Sequence, residues 1–307
     1  MNNNYDVVIV GGGPAGLTAG LYTSRARLNS LLIERGMVGG QIVNAEQIDN
    51  FPGFPDGISG LELGELLHRQ ATKYGLKTII AEATAIRLQD KQKVVETTEG
   101  DFISRAVIVA NGSDRIKLGV PGEEEFTGKG VSYCARCDAV FFRDQPVAVV
   151  GGGNAAINEA LEISKFASKV IVIHRRGELR ATRIIQEKAF AEPKIEFLWN
   201  TIVDEIEGED MVKRLKLRNQ QTGEKSVLDI SGVFVAIGFK PNTDYLKGIL
   251  PLDATGAIIT DSKMETGVPG IFAAGDIRSN SGRQAIAAAG DGAIAAIYAE
   301  RFIVAQS

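Results

Sequence analysis

Val7-Val8-Ile9-Val10-Gly11-Gly12-Gly13-Pro14-Ala15-Gly16 returns in the middle of the chain as Val147-Ala148-Val149-Val150-Gly151-Gly152-Gly153-Asn154-Ala155-Ala156. Each copy is a short β-branched run, of the kind buried on both faces of a parallel sheet, that ends on glycines and passes into a helical pattern. The helical patterns continue through Leu17 to Arg25 and through Ile157 to Phe166. In such a turn the first glycine allows the tight bend, the second lets the backbone approach a pyrophosphate, and the third small residue lets helix and strand pack closely. The phosphates then meet the N-terminus of the helix. One glycine fingerprint is weak evidence, because glycine turns are common. Two copies, each in a strand–turn–helix context, predict two dinucleotide sites.

The register beyond the turns agrees. Ser30 to Glu34 and Val170 to His174 read as second strands, and Glu34 and His174 each stand 23 positions after the first glycine of their copy. Glu34 can accept hydrogen bonds from ribose hydroxyls, which suits the adenosine ribose of FAD. His174-Arg175-Arg176, with Arg180 beyond, suits a 2′-phosphate, because guanidinium groups grip phosphate oxygens through paired charge-assisted bonds. The first site therefore reads as FAD and the second as NADPH.

Ala106 to Ala110 and Val233 to Ile237 each precede a glycine and read as closing strands of the two domains. After Pro241 the chain returns to glycine-containing segments without a third fingerprint. The expected fold is α/β with two Rossmann-like dinucleotide-binding domains, the NADPH domain inserted into the FAD domain. The crossings are expected near Lys117-Leu118-Gly119 and Gly238 to Pro241. This gives a discontinuous FAD domain of residues 1–116 and 244–307 and an NADPH domain of residues 117–243.

The chain has 307 residues, 44% hydrophobic and 23% charged, enough for two domains with separate cores. A formal charge of -4 argues against nucleic acid as a partner, which calls for a clustered basic surface. Met1 to Asp6 run into a strand without the basic and apolar regions of a signal peptide, so a cytoplasmic location is expected. The Ala/Ile-rich stretch Ile286 to Ile297 contains Asp291 and is too short for a membrane span; it reads as a buried helix, with no membrane partner.

The only two cysteines stand together in Cys134-Ala135-Arg136-Cys137-Asp138, just before the second fingerprint. In a cytoplasmic chain this spacing points to redox chemistry or metal binding rather than a structural bridge. Zinc normally needs four ligands, and only His68 and His174 remain as histidines, so no metal is expected. Two nucleotide sites supply an electron source for a poised disulfide, and an adjacent carboxyl can move the proton when a thiolate is expelled. His68 reads as a partly buried helical residue, Trp199 as strand-end packing, and Gly122-Glu123-Glu124-Glu125 as a solvated turn. Phe141 and Phe142 read equally well as core or as a docking surface.

Over nearly its full length the sequence resembles the low-molecular-weight thioredoxin reductase family. The resemblance rests on Gly11/Gly13/Gly16, Gly39-Gly40-Gln41, Asn50 to Gly53, the cysteine motif, His174-Arg175-Arg176, Ala274-Gly275-Asp276 and Arg283-Gln284-Ala285, in the family's order. It implies FAD, NADPH, thioredoxin as partner and a homodimer. It implies FAD contacts at Gly11, Gly13, Pro14, Ala15, Gly16, Glu34, Gly40, Gln41, Asn50, Gly112, Asp276, Arg283, Gln284 and Ala285. For NADPH it implies Gly151, Gly153, Asn154, Ala155, His174, Arg175, Arg176 and Arg180. Cys137 resembles the cysteine nearest the flavin, Cys134 the interchange thiol and Asp138 the catalytic acid; Val140 and Phe141 match the partner-docking loop.

Asn154 stands where many members have Asp, Ala139 where many have Gly, and Asn111 where Thr is usual; Glu178 lies inside the arginine cluster. The implied reaction carries electrons from NADPH through FAD and the disulfide to thioredoxin, with rotation about the two crossings between half-reactions. A flavin-dependent dithiol oxidase or a redox-sensing flavoprotein of the same fold are the alternatives.

Overall fold

The computed structural model describes residues 3–45 and 47–306, so Met1 and Asn2 of the expected entry into the first strand lie outside the described residues. The chain divides into two compact units, Met1–Asp114 with Lys240–Ser307, and Arg115–Phe239.

The first unit opens with β1 (Asn4–Val10), α1 (Pro14–Arg25) and β2 (Ser30–Glu34). A short 3-10 turn (Gly40–Asn44) leads to α2 (Gly60–Thr72), whose N-terminus is capped by the Ser59 side chain accepting the Glu62 N–H at 3.2 Å. Then come β3 (Lys77–Ile80), β4 (Ala83–Gln89), β5 (Gln92–Thr97) and β6 (Gly100–Val109). The sheet runs β3-β2-β1-β6-β5-β4, with β1, β2, β3 and β6 parallel and β4 and β5 antiparallel at one edge.

The central strands are continuous apolar runs because both faces are covered. Val7, Ile9, Leu32, Ala106 and Ile108 point to one core with Leu17 and Ala19 of α1, while Val8, Val10, Leu31, Ile33, Val107 and Val109 point to the other. Register is fixed at Val8, which pairs with Leu31 on one side and Val107 on the other; a one-residue slip exchanges the two faces.

The chain leaves this unit through β7 (Ser113–Arg115). The second unit contains β8 (Val131–Ser132), α3 (Ala135–Asp138), β9 (Pro146–Val150), α4 (Asn154–Ile163), β10 (Lys169–Ile173), α5 (Arg183–Ala191) and β11 (Ile195–Leu198). An antiparallel sheet of β12 (Thr201–Gly208), β13 (Val212–Asn219) and β14 (Lys225–Asp229) follows, then β15 (Gly232–Val235). The main sheet is parallel in the order β11-β10-β9-β15-β8. Its faces alternate as in the first unit: Val147, Val149, Val170 and Val172 on one, Ala148, Val150, Ile171 and Ile173 on the other.

The return strand β16 (Phe239–Pro241) pairs with β7. In the first unit the chain then adds β17 (Ile271–Ala273), parallel to β6, and α6 (Ala285–Ala305). A Cβ on Gly292 of α6 would overlap the Ala15 carbonyl oxygen, so this glycine is what lets α6 lie close against α1.

Several local expectations change. The helix expected from Ile157 to Phe166 ends at Ile163, where Ser164 turns its hydroxyl back to the Leu161 carbonyl at 3.0 Å. The helix expected over Ile286 to Ile297 continues to Ala305, because Ala299 and Ile303 extend the buried stripe. Its Asp291 is held at both oxygens by Arg278, at 2.6 and 2.8 Å. Glu123 is not solvated: it is 2% exposed. Phe142 is core, edge-on to Phe234 at 5.4 Å, whereas Phe141 is 55% exposed. Two expectations hold: Trp199 packs at the strand end, stacked on Phe197 at 5.0 Å, and His68 is a partly buried helical residue, hydrogen-bonded to Thr78 at 3.1 Å.

Candidate functional site

The first fingerprint forms a cradle at the N-terminus of α1. Gly11 has φ +109° and its N–H donates to the Ile33 carbonyl at 2.8 Å; a side chain there would run into Ala110 and Asn111. The third glycine, Gly16, faces the Gly11 carbonyl oxygen with no room for a Cβ. Gly13 caps α1 without a side-chain hydrogen bond, and Pro14 follows at the first helical position, so the helix presents backbone N–H groups outward. The Glu34 carboxylate accepts the Gly12 N–H at 2.6 Å through Oε2 and the Gly36 N–H at 2.8 Å through Oε1.

Other expected residues gather around this cradle. The Gly39 N–H donates to the Gly12 carbonyl at 2.8 Å, and Gly40 lies directly over Gly13. Gln41 donates to the Ser113 carbonyl at 2.6 Å, next to Gly112 with φ +62°. Gly275 sits against Ala15, and its N–H is held by Asp291 at 3.1 Å. Asp276 accepts the Ser281 hydroxyl at 2.7 Å, and Asn50 donates to Gln284 at 3.0 Å where α6 begins at Ala285. Arg283 takes φ +50° there. Beside the cradle Asn111 and Asn242 exchange amide hydrogen bonds at 2.8 and 2.9 Å, and the Tyr245 hydroxyl donates to Asn111 Oδ1 at 3.1 Å. Thus the Asn111 side chain is engaged at both its Nδ2 and its Oδ1.

The second cradle repeats the plan within the other unit. Gly151 donates to the Ile173 carbonyl at 3.1 Å, Gly153 caps α4 without a side-chain bond, and Ala155 lies in the first turn. Asn154 reaches across to accept the Thr182 N–H at 2.7 Å, tying the start of α5 to the fingerprint. The Arg180 N–H donates to the Gly152 carbonyl at 2.7 Å. Arg175, Arg176 and Arg180 are exposed and Glu178 is exposed beside them.

His174 differs from these arginines. It is 4% exposed, its ring lies against Gly152, and its Nε2 has no hydrogen-bond partner among the described residues. Burial lowers its pKa, the charges of Arg180, Arg176 and Arg175 add to this, and a hydrogen bond with the backbone of Glu178 opposes it. The imidazole is therefore a neutral prop under the loop, and the exposed cationic surface belongs to the three arginines.

The cysteine motif caps and forms α3. Cys134 and Cys137 are joined as a disulfide with their Cα atoms 5.3 Å apart. The Cys137 and Asp138 N–H groups both donate to the Cys134 carbonyl at 3.1 Å. Ala135 and Ala139 anchor the motif in the core beside Phe142, so Ala139 fills apolar space. Cys134 is half-buried and Cys137 exposed, as are Val140 and Phe141. Burial pushes the Asp138 carboxyl up, opposed by a hydrogen bond from Ser132 and by the charge of Arg115. A carboxyl so placed suits proton transfer at a neighbouring sulfur.

Three supporting residues escaped sequence reasoning. Ser132, on β8, donates to Asp138 Oδ2 at 2.5 Å and accepts the Cys134 N–H at 3.1 Å. Glu123 accepts the N–H groups of Leu118 and Gly119 at 2.8 and 2.7 Å and the Tyr133 hydroxyl at 2.9 Å. Tyr133 is pushed up to about 12 by burial and by Glu123. Serine two residues before a cysteine, or one glutamate in a run of three, carries no distinguishing pattern. No group of three or more potential metal ligands occurs among the described residues.

Comparison with known proteins matches residues 5–292 to the pyridine nucleotide-disulphide oxidoreductase family. A thioredoxin reductase of Peptoclostridium litorale is 46% identical over 309 residues, covering 99% of this chain and 98% of that protein. One of Bacillus subtilis (strain 168) is 45% identical, covering 97% of this chain and 95% of that protein. The crystal structure of thioredoxin reductase from Streptococcus pyogenes MGAS5005 superposes with a TM-score of 0.94 at 43% identity, covering 99% of this chain and 100% of that one.

Proposed function

This chain belongs to the pyridine nucleotide-disulphide oxidoreductases, among the thioredoxin reductases, and from that premise we propose that its nucleotides are FAD and NADPH and that the Cys134–Cys137 disulfide passes the electrons to thioredoxin. Both cradles fit a dinucleotide: each has an uncapped helix N-terminus, a glycine turn that admits backbone approach, and a polar residue at the end of the second strand. The observation that carries the reading is the dithiol motif set beside a half-buried carboxyl in the unit that also holds the arginine-edged cradle.

The bound flavin supplies the two-electron carrier between nicotinamide and dithiol. The first cradle holds its pyrophosphate on the α1 amides and its ribose on Glu34, with Gly40, Gln41, Asn50, Gly112, Asp276, Arg283, Gln284 and Ala285 around it. Gly151, Gly153, Asn154 and Ala155 hold the second pyrophosphate, while Arg175, Arg176 and Arg180 take the 2′-phosphate and His174 supports the loop from below. Cys137 would take up the electron pair of NADPH, delivered through the bound flavin, and the Cys134–Cys137 bond would break to leave two thiolates. The Cys134 thiolate attacks one sulfur of the thioredoxin disulfide, and the expelled thiolate takes a proton from Asp138. Cys137 then attacks Cys134 in the mixed disulfide, which releases the second thioredoxin thiolate and restores the intramolecular bond. One disulfide cannot take electrons at a flavin and meet a protein partner in the same place. We therefore assign a rotation to the two crossings.

We further propose a homodimer located in the cytoplasm. No described helix is long and apolar enough to cross a membrane. The exposed arginines favour NADPH-driven reduction over a dithiol oxidase that uses no pyridine nucleotide. The test is NADPH oxidation by the purified protein with oxidised thioredoxin. Turnover that needs both proteins supports the proposal; NADPH oxidation unaffected by thioredoxin contradicts it.

A further inference from the structure

Ser132 is 5% exposed and its backbone is pinned in a parallel ladder opposite Phe234. From there one hydroxyl makes two contacts, donating to Asp138 Oδ2 at 2.5 Å and accepting the Cys134 N–H at 3.1 Å. We propose that Ser132 is a positioning residue of the disulfide exchange, holding the Asp138 carboxylate and the backbone of the interchange cysteine in one fixed arrangement. This rests on the reading of Asp138 as the acid.

The chemistry follows from what a hydroxyl can do. It has one proton to donate and two lone pairs to accept with. With Asp138 ionised, that proton goes to the carboxylate and one lone pair takes the Cys134 N–H, so both contacts are satisfied. When Asp138 binds a proton at Oδ2 the serine must turn and give up its donor role there. Ser132 thus favours the ionised acid against the burial that disfavours it. The charged and titratable groups around this point are Arg115, which also favours the carboxylate, and the neighbouring Tyr133, itself bonded to the buried Glu123. The Arg115 guanidinium lies 5.3 Å from the centre of the Tyr133 ring. Removing the hydroxyl leaves Arg115 as the remaining cause holding the carboxylate down.

The test is the pH profile of kcat/KM for oxidised thioredoxin in wild type, Ser132→Ala, Ser132→Thr and Asp138→Asn. It is joined by the pH dependence of alkylation of Cys134 in the reduced, flavin-loaded Cys137→Ser protein, with and without Ser132→Ala. For S132A the maximum falls about tenfold, the loss expected for one hydrogen bond to a charged group. The alkaline limb moves to higher pH because the acid keeps its proton longer. The Asp138-linked inflection in the alkylation profile moves the same way, and S132T restores wild-type behaviour in turnover. An S132A profile that matches wild type while D138N is impaired overturns the inference and leaves the acid assignment standing. A lower S132A maximum with unmoved limbs and no rescue by threonine also overturns it, since that is a packing defect. An unimpaired D138N overturns the acid assignment and the inference with it.

Discussion

The Glu34 carboxylate accepts the Gly12 N–H at 2.6 Å, and at the matching place of the second copy the His174 ring lies against Gly152. The same register thus joins the end of the second strand to the middle glycine of each turn, once by a charge and once by a neutral ring. Glu34 satisfies two backbone donors with its two oxygens, and Glu34→Gln must set an NH2 against Gly12 or Gly36. The expected outcome is flavin binding weakened about tenfold or more. The flavin-to-protein ratio after gel filtration at graded dilution measures it, and retention equal to wild type would remove Glu34 from the cofactor site.

Replacing Arg175 and Arg176 together by Ala is expected to lower the preference for NADPH over NADH by about 100-fold, since two charge-assisted bonds to a 2′-phosphate are lost. The measurement is the ratio of kcat/KM for the two nucleotides in wild type and variant. An unchanged ratio marks the arginines as a solvated face.

His174 makes stability depend on pH. Its folded value lies below the ordinary 6.5, so the unfolded chain binds the proton first and stability rises with pH. The contribution is fully present above 6.5 and is lost as pH falls through the depressed folded value. Melting temperatures of wild type and His174→Gln, compared from about pH 8 to about pH 5 across the ordinary histidine range, are expected to show a steeper acid decline in wild type. Parallel curves would contradict the buried neutral assignment.

Arg278 and Asp291 are both mostly buried, and Asp291 also holds the Gly275 N–H. Asp291→Ala leaves a buried guanidinium without its partner, a loss of about 3–5 kcal/mol, and releases the loop that carries Asp276. Urea unfolding and flavin retention report the two effects separately. A variant as stable as wild type would show that the pair is solvated.

The repeated strand–turn–helix was legible because it rests on local rules: β-branched runs buried on both faces, glycines where backbone meets backbone, and a fixed distance to the second strand. Phe141 and Phe142 show where such rules end. Both are apolar, and only the packing of Phe142 against Phe234 separates the core ring from the exposed one. Glu123 is a second case, since a run of acids has the pattern of a solvated turn and only the convergence of Leu118, Gly119 and Tyr133 on one of them sets it apart. Asp291 registered only as a break in an apolar stretch, because its partner Arg278 lies on another element. The antiparallel hairpin β4–β5 and the β12–β14 sheet lie outside the two glycine fingerprints, so no motif marks them in the sequence.

In the proposed reaction electrons pass from NADPH through a flavin to the Cys134–Cys137 pair and on to thioredoxin. The most direct test is the visible spectrum of the purified, flavin-loaded protein under anaerobic titration, first with NADPH and then with oxidised thioredoxin, in wild type, Cys134→Ser and Cys137→Ser. All three are expected to be yellow and to bleach with NADPH, and thioredoxin is expected to restore the colour of wild type alone. A protein that binds no flavin, or a serine variant whose colour thioredoxin restores at the wild-type rate, would contradict it.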